Sequence, residues 1–299
     1  MVFSPYSGLR SYPRSSVSAV VSSFHQTYKT MKIRKPHILI TNDDGIESPG
    51  LKAAVEAVMK LGTVTVVAPR HQQTGTGRGL TGDKQGRLIA ADFKVNTTKI
   101  LAYHGDGSPA LIVRHSLQTL FKDSTPDLLV SGINYGENLG FNITCSGTVG
   151  AALEASSFGI PSIAVSLQTD VEHHHSYVKQ DWSTAGYFLH KFSKLLLEKP
   201  SPPDVDLLKI DIPAHALPST SWKSTKLARS PYYFRDTVET NSTSSFGDGK
   251  TVIKVDRDIL DSDTDIYAVA VNKVVSVTPL SLDLTSRINL ADLEAFYTP

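Results

Sequence analysis

A single cysteine, Cys145, stands in the 299 residues, so an intramolecular disulfide is excluded and the chain fits a reducing compartment. An excess of one charge is missing too. Thirty Lys and Arg against 29 Asp and Glu leave a net charge of +1, with no basic footprint for bulk nucleic-acid binding. No apolar run reaches the roughly 18 residues that a spanning helix needs, so no membrane partner and a cytoplasmic location are expected. Acids are absent before Asp43, while the first 30 residues hold eight serines with Arg10, Arg14 and Lys29. Such a leader (1–30) reads as a disordered or organellar transit segment, or as a spurious extension ahead of Met31. Neither reading places chemistry there. The composition, 40% apolar, 20% charged and 8% aromatic, is that of an ordinary globular chain able to bury a core, and residues 31–299 are expected to form one domain.

What is present begins with the run Ile38-Leu39-Ile40-Thr41-Asn42-Asp43-Asp44-Gly45. A short apolar strand ends in two adjacent carboxylates and a glycine. Open α/β sheets bind ligands in the crevice beyond the carboxyl ends of their strands. Two aspartates side by side at such a tip are costly unless a cation sits between them, and a hard divalent ion with oxygen ligands suits them. A solvated Asp-Asp-Gly turn is the plainer alternative.

Ser48-Pro49 then offers an N-cap and a proline at the first helical position, and the spacing of Leu51, Ala54, Val55 and Val58 predicts a helix over 49–60. Residues 64–68 read as a second buried strand, so the chain opens with a βαβ unit. A glycine-rich loop (69–82), an edge-like strand pair near 87–103 and a Ser108-Pro109 helix to about 121 come next. Further strands are expected at 127–131, 162–166 and 206–212, with helices at 149–158 and 181–197. A long loop from Gly132 to Gly147 is expected between. This alternation predicts a doubly wound, mostly parallel, Rossmann-like α/β sheet. From 213 to 285 the pattern changes. Residues 218–250 read as irregular and 267–277 as alternating β structure, an arm that packs on a partner subunit.

Loops that follow three parallel strands start at one end of the domain. Asp43, Asp44, the Thr74 region and Asn134 are therefore expected to be neighbours. Two carboxylates, a hydroxyl and an amide oxygen suit Mg²⁺, Mn²⁺ or Ca²⁺ rather than zinc. Ser146-Gly147-Thr148-Val149-Gly150 opens a helix whose free amides and hydroxyls form an anion cradle, plain N-capping being the alternative. Together these features point to metal-assisted hydrolysis of a phosphate ester.

The motifs are similar to those of the SurE family, the stationary-phase survival proteins that act as metal-dependent 5′(3′)-nucleotidases. The resemblance rests on Thr41 through Ile46 with Pro49-Gly50, on Val66 through Pro69, and on Gly75 with Leu80-Thr81. It continues through Pro126-Asp127, Ser131 through Asn134, Gly136, Asn138 through Gly140 and Ser146 through Val149, then Val165 through Leu167. It ends with Thr264-Asp265 and Val277 through Leu280. It is close over 37–168, moderate over 261–285 and slight over 170–260.

The resemblance implies that Asp43, Asp44 and Asn134 hold one divalent cation per subunit, Mg²⁺ or Mn²⁺, with Thr74 at a position where the family has serine. It implies that Asp43 and Asn138 take part in catalysis and that Asn138, Ser146, Gly147 and Thr148 line a phosphate site. It implies a nucleoside monophosphate substrate, and a dimer or tetramer held through the C-terminal arm. Arg70 and Leu111 stand where the family usually has acids, which bears on substrate preference.

Competing readings fail on spacing. Gly75-Thr76-Gly77-Arg78-Gly79 follows the second strand, not the first, and is not G-x-G-x-x-G. Asp43 lacks the acid two residues on that a haloacid-dehalogenase-type site needs, and no arginine follows Cys145 at the spacing of a cysteine phosphatase. No G-x-S-x-G elbow exists. A non-catalytic protein that binds metal and nucleotide remains the alternative. His173-His174-His175 reads as a solvated loop, and the sequon at Asn142 lies within the expected site.

Overall fold

A computed structural model describes residues 34–174, 176–236, 241–245 and 247–298. The leader expected over 1–30 lies outside the described residues. In chain order the first half comprises β1 (His37–Thr41), α1 (Pro49–Val58), β2 (Thr63–Pro69), β3 (Ile89–Ala90), β4 (Phe93–Val95), β5 (Thr98–Gly105), α2 (Pro109–Thr119), β6 (Leu128–Tyr135) and α3 (Gly147–Ser156). Then follow β7 (Ser162–Leu167), α4 (Ser183–Glu198), β8 (Leu207–Ile212), β9 (Trp222–Ser224), β10 (Tyr233–Asp236), β11 (Lys250–Ile253), β12 (Val275–Leu280) and α5 (Leu290–Tyr297).

The main sheet runs β3-β5-β2-β1-β6-β7-β8-β12-β9, with β4 paired to β5. Its centre, from β5 to β8, is parallel. Strand alternation divides the core. Ile38 and Ile40 face the α1 and α4 layer, while Leu39 faces α2 and α3. All three are fully buried, which contributes about 1.5–3 kcal/mol for each such side chain. Helices on both faces of a parallel sheet make this the α/β doubly wound fold that the alternating pattern predicts. No described helix is long and apolar enough to cross a membrane.

The Ser-Pro helix starts behave differently. Ser108 caps α2 by accepting from the Leu111 amide at 3.3 Å. Ser48 occupies the N-cap of α1, but its hydroxyl makes no capping bond and is buried without a partner among the described residues.

Two expectations are corrected. The loop expected from Gly132 is, in its first part, still strand, because β6 continues to Tyr135 through a register shift between Ser131 and Asn134. At its bulge Gly132 has φ +128°, and a Cβ there would lie 2.3 Å from the Val165 carbonyl oxygen. Only glycine fits.

The β alternation expected over 267–277 is the second correction. Residues Tyr267–Val271 form a π-helical turn with Ala268 and Val269 fully buried, and only Val275–Leu280 is strand. A short apolar run without polar positions carries no period that separates helix from strand. Strand β12 also has a place in the sheet, antiparallel to β8 and parallel to β9. Strands β10 and β11 pair antiparallel in a separate sheet, β10 lying in the region read as irregular.

Candidate active site

Strand β1 delivers the acids. Asn42 closes the turn after it, its Nδ2 donating to the Gly45 carbonyl and its Oδ1 accepting from the Gly45 amide. That turn leaves Asp43 and Asp44 in sequence, both almost wholly buried. Asp43 Oδ1 accepts a 2.5 Å hydrogen bond from the Thr148 hydroxyl. Asp44 Oδ1 accepts from Gln72 Nε2 and Oδ2 from the Tyr135 amide, each at 3.3 Å.

Burial raises the Asp43 carboxyl to about 6 despite the opposing Thr148 bonds. Burial, and next the charge of Asp43, drive Asp44 well above the usual carboxylate range. Among the described residues no Lys, Arg or His forms an ion pair with either. Two desolvated carboxylates with no cation are electrostatically incomplete.

The bulge in β6 turns Asn134 toward the same point. Its Nδ2 donates to the Tyr135 and Gly136 carbonyls at 3.2 and 2.8 Å. The amide nitrogen is thereby engaged, and the oxygen is left to the cavity. Thr74, exposed in the loop after β2, lines the cavity with Asp43, Asp44 and Asn134. Its loop is anchored to the acids, since the Gln73 amide donates to the Asp43 carbonyl at 2.7 Å. Among the described residues no cluster of three or more His, Cys, Asp or Glu side chains could hold a metal. The candidate donor set is therefore two carboxylates plus neutral oxygens, chemistry that fits a hard cation.

Asn138 and Ser146 also line the cavity. Ser146 caps α3, its oxygen accepting from the Val149 amide at 3.1 Å, so the N-capping alternative describes part of its role. Thr148 lies elsewhere. It is fully buried, and its hydroxyl is committed to Asp43 rather than to the cavity. Gly147 provides the closeness, because a Cβ on it would lie 2.7 Å from Asp43 Cβ and 2.9 Å from Oδ2.

The cavity measures about 930 Å³, and much of its wall was missed in the sequence. Gln72, Tyr135, His174, Tyr233, Lys250 and Thr251 all border it. Adjacency to Thr74 and Asn134 was the signal for the first two; for Tyr233, Lys250 and Thr251 there was none. The solvated loop expected at 173–175 is corrected at His174, whose ring meets Tyr233 edge-on at 5.7 Å. His173 does face outward, near Asp170, and His175 lies outside the described residues. Tyr177 donates a 2.6 Å bond to the Asp44 carbonyl, and burial raises its phenol to about 12. Asn142 braces the loop by accepting from the Tyr232 and Tyr233 amides at 2.6 and 3.2 Å.

Comparison with known proteins gives a consistent picture. The family model described as "Survival protein SurE" matches residues 38–233. A protein named 5′-nucleotidase SurE from Thermococcus kodakarensis is 40% identical over 86% of this chain and 96% of its own length. One of the same name from Methanosarcina acetivorans is 37% identical over 89% of this chain and 99% of its own length. The crystal structure of the SurE protein from Aquifex aeolicus superposes with a TM-score of 0.66 at 30% identity, covering 88% of this chain and all of that one.

Proposed function

Because the chain belongs to the SurE family, we propose that it is a phosphomonoesterase that hydrolyses nucleoside 5′-monophosphates to nucleoside and phosphate with one Mg²⁺ or Mn²⁺ per subunit. The observation that carries this reading is the buried, uncompensated pair Asp43 and Asp44, facing a cavity that Asn134 also lines. The relatives' name, 5′-nucleotidase, supports the substrate class. A cavity of about 930 Å³ is far larger than phosphate requires and lies in the range of small-molecule sites.

Asp43, Asp44, Asn134 and Thr74 would hold the cation. Bound there, it supplies positive charge to the phosphoryl oxygens and acidifies the attacking water. Thr148 orients Asp43 by donating to Oδ1 of its carboxylate. Asn138 and Ser146 receive the phosphate oxygens, since both reach the cavity. Thr148 acts through Asp43 and does not touch phosphate.

The test is phosphate release from a panel of 5′- and 3′-nucleoside monophosphates, with Mg²⁺, Mn²⁺ or EDTA. Metal-dependent release that Asp43→Asn lowers by several orders of magnitude, at unchanged fold, supports the reading. Metal binding without turnover points instead to a non-catalytic binding protein. Self-association as a dimer or tetramer is part of the same proposal, and is supported by exposed Ile259, Leu284, Leu290, Phe296 and Tyr297 in the C-terminal region. Light scattering at micromolar concentration decides it, a mass near the 32.5 kDa of one chain counting against association.

A further inference from the structure

Beside the cavity, outside the residues assigned above to cation and phosphate, lies a group of three charged side chains with no exposed surface. Lys209 and Asp211 stand two apart on β8 and so face the same side of the sheet. Asp265, in the helical residues that lead into the π-helical segment, completes the group. Lys209 pairs with Asp211 and, at 3.1 Å, with Asp265. Burying three charges is a poor way to gain stability, since well-packed apolar side chains of similar volume often do as well or better. The group therefore calls for another explanation.

Its outward bonds supply one. Asp211 Oδ1 accepts from the Asn138 amide at 2.7 Å, and Lys209 Nζ donates to the Asn138 carbonyl at 2.8 Å. Asp265 Oδ2 accepts from the Gly140 amide at 3.0 Å. The other carboxylate oxygen of Asp265 accepts from the Ala228 and Ile266 amides, both at 2.9 Å. Both backbone polar groups of Asn138 thus end on charged partners, and such bonds are shorter and stronger than neutral ones. The Asn138 side chain is tied independently, its Nδ2 donating to Ser166 Oγ at 2.8 Å. Backbone and side chain are both held, and the amide oxygen has no protein donor among the described residues.

We infer that Lys209, Asp211 and Asp265 are positioning residues that lock the Asn138 peptide so that its side-chain oxygen holds one place in the phosphate half of the cavity. This inference rests on the role given to Asn138 above. It also ties the C-terminal segment to the positioning of Asn138, because Asp265 meets Lys209 only when that segment is packed. The cation half is outside the triad's reach, since Asp43, Asp44 and Asn134 receive no bond from it.

The test combines amide hydrogen exchange with a double-mutant cycle on the full chain. In Lys209→Met, exchange over residues 138–140 is expected to accelerate while that of the buried β1 strand is unchanged. With a nucleoside monophosphate, kcat is expected to fall about 10²-fold, the scale of a misplacement of about 1 Å, at an unaltered metal concentration dependence. In an Asn138→Ala background Lys209→Met should cause no further loss. Additive losses, or unchanged exchange at 138–140, overturn the inference. If Lys209→Met does not fold, Asp211→Asn keeps the shape without stranding a cation and is read by the same two measurements. Exchange is measured without substrate, so a wild type that releases no phosphate defeats the proposed function while the positioning of Asn138 is still decided.

Discussion

Thr148 and Asp43, 105 residues apart in sequence, are joined by a 2.5 Å hydrogen bond from hydroxyl to carboxylate. The bond ties the N-terminus of α3 to the tip of β1 and orients the first acid of the pair. Removing it while keeping the shape, as Thr148→Val does, should weaken metal affinity or activity by about 10–100-fold, the usual effect of losing a bond that orients a metal ligand. Metal titrations of phosphate release on wild type and variant measure this. Equal titration midpoints and equal rates would remove Thr148 from the site.

Gly147→Ala tests the close approach of the same helix. The glycine is in ordinary helical backbone, so alanine creates no strain in φ, and the nearest atoms to the added methyl all belong to Asp43. Activity is expected to fall about 10²-fold, as for a displacement of about 1 Å in a reacting group. Thermal melting should show a smaller change than it does for a buried cavity mutant. A variant with full activity would mean that Asp43 can move without consequence.

Thr74 lends itself to a two-variant comparison. Thr74→Ser keeps the oxygen and should retain metal-dependent activity, whereas Thr74→Ala removes it and should raise the metal concentration needed. Because Thr74 is exposed, neither change should shift the melting temperature appreciably. Indistinguishable metal titrations for serine and alanine would exclude the hydroxyl from the ligand set.

Asp211 makes a pH prediction with a definite sign. Burial raises its carboxyl from 3.8 to about 6, against the lowering effect of Lys209. Asp265, Tyr232 and Tyr233 are the other ionisable groups coupled to it. A carboxyl raised in the folded state binds more protons there than in the unfolded chain, so its share of stability declines as pH climbs from about 4 to about 6. Above that window both states are ionised and the loss is complete. Asp211→Asn should flatten this part of the stability curve, measured by denaturant melts at fixed ionic strength between pH 4 and 7. A slope identical to wild type would show that Asp211 ionises as readily in the fold as outside it.

Local sequence determined the strands and helices of the first two thirds of the chain and the placement of the acids at the end of β1. The reason is that these features are written at short range. Apolar residues recur at helical or strand spacing, Ser-Pro and glycine mark the element ends, and parallel strands bring successive loops to one edge. Asp43, Asp44, Thr74 and Asn134 could be grouped on that argument, and they line one cavity. Other features were settled by contacts between distant segments. Whether Thr148 faces phosphate or Asp43 depends on how closely α3 approaches β1 at Gly147, and nothing around residue 148 reports that distance. Whether 267–271 is strand or helical turn was decided by packing, because a five-residue apolar run holds no polar position from which a period can be read. His174, Tyr233 and Lys250 come from the poorly patterned second half, and only the packing of that half over the sheet edge brings them to the cavity. The Lys209–Asp211–Asp265 group is the clearest case. Lysine and aspartate in a strand read as solvent-facing, and they are buried here because each charge finds a partner from another part of the chain.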